Sequence, residues 1–173
     1  MVEIVNASEK ASFNPQLMAR LESGFYRNSL EGNKEKAHKN HIAMYMEQWK
    51  MPEDIAIVAD VYFAKGMVYG CYGLIREYSD LDFDPNDVGR EFWNANTKAD
   101  FDDPIPISEA SKLFGLIYGI DPQDETLQEA MDLRGSGFNL LHQRGSKMDD
   151  EDWEDFEGYM TDYYRYLKWA ANG

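Results

Sequence analysis

The chain has 173 residues, with 32 Asp and Glu against 17 Lys and Arg, for a formal net charge of −15 at pH 7. A hydrophobic content of 43%, with 14% aromatic residues, is enough for a core at this length and excludes a wholly disordered acidic chain. The charge argues against direct gripping of nucleic-acid phosphates, which takes clustered Lys and Arg, and the single cysteine, Cys71, excludes an internal disulfide or a cysteine-based zinc site.

Nothing at the start of the chain joins a basic region to a long apolar stretch, so no secretory signal is expected. The longest uncharged piece of the most apolar region, Gly66 to Ile75, falls far short of the about 20 residues a membrane span needs. No membrane association is expected, and with one thiol the expected compartment is the cytoplasm.

In chain order, the punctuation reads as a string of helices. Asn14-Pro15 predicts a helix start, an N-cap followed by a proline whose missing N–H costs nothing there. Leu17, Leu21 and Phe25 follow at i, i+4, i+8. After a turn at 28–33 containing Gly32, a second helix is expected over 34–49, with Ala37, His41 or Ile42, Tyr45 and Trp49 on one side. Pro52 opens the longest predicted helix, about 53–78, whose Ile55, Ala59, Tyr62, Gly66, Tyr69 and Gly73 keep helical spacing. Asp84-Pro85-Asn86-Asp87 and Asp121-Pro122-Gln123-Asp124 repeat one start signal, with Asp as N-cap, Pro next and Asp in the first turn. Ser108 predicts a helix carrying Leu113, Phe114, Ile117 and Tyr118 up to Gly119. Glycines 135, 137 and 145 are expected to end helices, and Ser146 to cap the last. That helix, about 147–171, places Trp153, Phe156, Met160, Tyr163 and Leu167 at steps of 3, 4, 3 and 4. Strand signals are confined to 2–5 and 105–107. The expected fold is all-α, a single compact domain over 1–173 with six to eight helices and at most a short strand pair. An irregular Asp- and Pro-rich connection is expected over 80–103.

The acid is unevenly placed. Residues 1–50 carry a net charge of +1, residues 51–100 carry −6, and residues 101–173 carry −10. Its densest point is Asp149, Asp150, Glu151, Asp152, Glu154, Asp155 and Glu157, seven carboxylates in nine residues, with Asp162 further along. At 1.5 Å rise per residue this is about one negative charge per 2 Å of helix axis, close to the about 1.7 Å of duplex DNA. A helix's first turn also favours acid for its own stability, so a solvated face is the plain alternative.

Other constellations are weaker. Asp80, Asp82, Asp84 and Glu91 fall in the register of an EF-hand loop, but Pro85 stands where the sharp turn needs glycine. Helix capping by Asp84 uses the same residues without misfit. His38 and His41, three apart, lack the second Glu-x-x-His copy of a di-iron bundle and read as exposed polar residues. Gly66, Gly70 and Gly73 form a stripe of small residues, best explained by close approach of another helix. No P-loop, nucleophile elbow or dinucleotide fingerprint occurs.

The expected function is therefore non-catalytic. An acidic binding or inhibitor protein would engage the basic, nucleic-acid-binding surface of a partner protein, as a nucleic-acid mimic of phage or mobile-element anti-defence type or as a toxin-immunity protein. No catalytic residue, metal or cofactor is assigned. The alternative is a structural or assembly protein, a homo-oligomer using an aromatic surface of Tyr159, Tyr164, Tyr166 and Trp169 on the last helix.

Overall fold

Asn14 opens α1 (Pro15–Leu30) by accepting hydrogen bonds from the Gln16 and Leu17 amides at 3.0 and 3.2 Å. Asn33 does the same for α2 (Lys34–Trp49) through the Lys36 amide. In the computed structural model, residues 11–90 and 107–172 are described, and among them the chain is all-α, one compact domain without strands. The strand candidate at 2–5 and most of that at 105–107 lie outside these residues, and Ile107 begins a helix.

The long helix expected over 53–78 is broken. It forms α3 (Glu53–Ala64) and α4 (Val68–Ser79), joined at Gly66, whose φ of 75° only glycine adopts without strain. The Gly66 amide donates to the Phe63 carbonyl and the Met67 amide to that of Tyr62, a Schellman closure that satisfies the last carbonyls of α3. Gly70 is the residue of the expected stripe that fits close packing. A Cβ there would lie 2.9 Å from the Tyr62 ring, whereas one at Gly73 would meet open space.

Leu81 and Phe83 are buried while Asp80, Asp82 and Asp84 point outward, and Asp84 accepts from the Asn86 amide at 2.8 Å. This caps α5, helical over 85–90. The connection expected to be irregular over 80–103 thus contains a helix, and its remainder lies outside the described residues. Helix α6 (Ile107–Tyr118) ends at Gly119, φ 67°, where the Ile120 amide donates to the Gly115 carbonyl. Helix α7 (Glu125–Arg144) is capped by Asp124 rather than Asp121, which instead holds the preceding turn through the Gln123 amide. Gly135 and Gly137 do not end a helix but lie inside α7. Gly137 sits against α8 (Asp150–Asn172), where a Cβ would come 2.4 Å from Met160 Cε.

Helix α1 packs on both α2 and α8, and α7 pairs with α8 as an antiparallel hairpin. The α3–α4 hairpin docks on α2, and α6 on α7. One hydrophobic cluster runs through all of them, from Phe13 and Met18 to Leu127, Phe156 and Leu167. The five-residue stripe expected on α8 is buried throughout. On α1, however, the buried face is Met18, Ala19, Glu22 and Ser23, so Leu17, Leu21 and Phe25 form only its flank.

Candidate functional site

The acid of α8 divides into two groups. Asp149 accepts from the Asp152 amide at 2.8 Å and Asp152 from the Asp149 amide at 3.2 Å, a reciprocal cap that replaces the one expected from Ser146. The Asp149 amide and then the Arg144 side chain hold the Asp152 carboxyl below the usual carboxylate range. Asp150 pairs with Arg27 on α1 at 3.0 Å, and Asp162 with Arg165 at 3.3 Å. These four therefore serve the protein itself. Glu151, Glu154 and Asp155 remain, exposed and without an ion pair among the described residues, and Glu157 is half-buried. Their spacing of 3 and 4 puts the first three on one stripe, opposite the buried Trp153, Phe156 and Met160. A second stripe, Glu125, Glu129 and Asp132 at i, i+4, i+7, is exposed toward the other end of the α7–α8 hairpin. Its spacing is readable in the sequence, but its charge density is no higher than that of an ordinary solvated helix face.

The aromatic surface is smaller than expected. Tyr164 belongs to the core, 3% exposed and edge-on to Phe13 at 5.5 Å. Trp169 is 68% exposed and stacks on the half-buried Tyr166 at 6.1 Å, and Tyr159 is also exposed.

His38 and His41 are not idle surface residues. Both use Nδ1 on the carboxylate of Asp60, at 2.9 Å to Oδ2 and 2.6 Å to Oδ1. Burial pushes the Asp60 carboxyl up, but the hydrogen bonds and charges of His41 and His38 outweigh it and leave the group below the ordinary value. Asp60 is only 5% exposed, and its signal was a lone carboxylate within the apolar run of α3. The ring of His41 lies against Phe25, Tyr45 and Phe63, with centroids 4.7 to 5.2 Å away.

His41 also lines a partly enclosed cavity of about 180 Å³ among α2, α3, α4, α6 and α7. Trp49, Tyr72 and Phe114 form aromatic wall, Gln48 reaches the Tyr118 hydroxyl, and Arg134 enters from α7. Cys71 lies there 3.3 Å from the Tyr45 hydroxyl, and burial pushes its thiol up to about 11. A thiol so shifted is not ionised at neutral pH and is no nucleophile. Arg134 rests over the rings of Phe138 and Phe114, at 4.5 and 5.5 Å, and faces the buried Glu22 of α1. Desolvation raises the Glu22 carboxyl despite Arg134 and a hydrogen bond with Tyr164, and its Oε2 has no hydrogen-bond partner.

Among the described residues no cluster of three metal-ligating side chains occurs, and Asp80, Asp82 and Asp84 do not converge; Glu91 lies outside them. No described helix is long and apolar enough to cross a membrane. No protein-family model, curated protein or solved structure matches the chain.

Proposed function

We propose that the protein is a non-catalytic binding protein whose α8 surface engages a basic partner. The observation that supports this reading is the unpaired stripe of Glu151, Glu154 and Asp155 on a helix fixed to the core by Trp153, Phe156 and Met160. A rigid helix holds its carboxylates at set spacing, so association with a basic surface loses little order and is steered by charge. The partner class is a protein with a cationic groove of the kind that accepts nucleic acid, and the role is that of an inhibitor, of phage anti-defence or toxin-immunity type.

Neutralising Glu151, Glu154 and Asp155 together to Gln, Gln and Asn leaves every cap and ion pair of α8 in place. Partners captured at low salt by the wild-type protein should be lost from this variant and released from the wild type at high salt. Equal capture by both would overturn the reading. The exposed Trp169 and Tyr166 favour a second reading, an assembly surface. It requires a self-associated species that Trp169→Ala returns to a monomer in light scattering.

A further inference from the structure

The cavity at the junction of α2, α3, α4, α6 and α7 is unusual for this chain in one respect. The chain carries 32 carboxylates, yet among the described residues none lines this cavity, and the permanent charge among its described lining residues is the guanidinium of Arg134. A cavity of about 150 Å³ lined by apolar side chains accommodates benzene. One of about 180 Å³ holds a single ring with a small substituent. Aromatic side chains line it, Trp49, Phe63, Tyr72 and Phe114 among them, which suit a flat guest. Arg134 is placed at the Phe114 wall, 5.5 Å from that ring. Its planar fork matches a carboxylate with two parallel hydrogen bonds.

We propose that this cavity binds a small aromatic carboxylate, its ring between the aromatic walls and its carboxylate on Arg134. A cationic guest would meet the guanidinium directly, and a neutral one would gain nothing from its charge. Glu22 of α1, the buried acid that acts on Arg134, is not among the residues that line the cavity. The inference is independent of the acidic face of α8.

The test uses the intact protein and three guests of one size: benzoate, benzyl alcohol and benzylamine. Binding is followed by amide NMR shifts and by the thermal midpoint. Benzoate should give saturable shifts at residues 113–117 and around 134 and raise the midpoint. It should bind about tenfold tighter than benzyl alcohol, with benzylamine weakest. Arg134→Gln should abolish that preference, and Arg134→Lys should keep part of it. Leu113→Phe, which fills the cavity, should exclude all three guests while the protein stays folded. No saturable shift up to about 10 mM benzoate, shifts confined to the surface, or benzylamine binding as tightly as benzoate would each overturn the proposal. If Arg134→Gln does not fold, the order of the three guests on the wild-type protein decides the matter alone.

Discussion

Asp60 shows how one buried carboxylate organises its surroundings. It joins α3 to α2 by taking the Nδ1 atoms of His38 and His41 on its two oxygens. Hydrogen bonds to a charged group are worth about 1.5–3 kcal/mol each, so losing the charge while keeping the shape is costly. Asp60→Asn should lower stability by about 2–3 kcal/mol in urea unfolding at pH 7. The sign of the pH dependence follows from the depressed carboxyl. Its stabilisation is complete above the unfolded-state value and disappears as pH falls through the lower folded value. The gap between wild type and Asp60→Asn should therefore be full at neutral pH and close in acid below the ordinary carboxylate range. A gap that persisted there would assign the loss to packing instead of charge. Glu22 acts in the opposite sense. Its raised carboxyl costs stability at neutral pH and relieves that cost as the group protonates, so acid first removes a strain and only later a support.

At the scale of elements, glycines with different surroundings give opposite expectations. Gly135 and Gly158 lie inside helices with open space where a Cβ would go, so Gly135→Ala and Gly158→Ala should each raise stability by about 0.5–1 kcal/mol. Gly137→Ala, two residues from Gly135 but against Met160, should instead cost about 1–3 kcal/mol by overpacking. Thermal melts of the three variants check both signs. Gly66→Ala should also destabilise, by about 1 kcal/mol, from backbone conformation alone, since nothing lies near its Cβ direction. Helix starts were legible in the sequence because caps are local: Asn14 and Asp84 act where their order in the chain implies. The α8 stripe was legible because five large apolar residues admit one face. The break at Gly66 was not, because periodicity on both sides continued through it, although α1 and α3 end on the same glycine closure, at Gly32 and Gly66. The burial of Glu22 and Asp60 was also hidden. Charge assigns a residue to water until a partner from a distant segment, Arg134 or two histidines, is known to face it.

For the molecule as a whole, a net charge of −15 is a standing repulsion that the core must hold together. Added salt screens it, so the thermal midpoint should rise from low salt to about 0.15 M, where the screening length is about 8 Å. The triple neutralisation of Glu151, Glu154 and Asp155 should raise the low-salt midpoint while weakening partner capture. Stability and binding moving together would argue that the stripe is structural. The candidate surface was readable from composition as a dense run, but which half of it stays free was not, since Arg27 and Arg144 claim Asp150 and Asp152 only after folding. The packing of α1 on α8 carries a further consequence for synthesis. Lys168 reaches the Phe13 carbonyl at 3.1 Å across 155 positions of sequence, and Phe13 and Tyr164 share an edge-on contact. A nascent chain emerging from the ribosome therefore exposes the inner side of α1 until translation has delivered α8. Closure of the globule waits for α8, and a chain stalled before residue 150 is a ready client for chaperones and proteases.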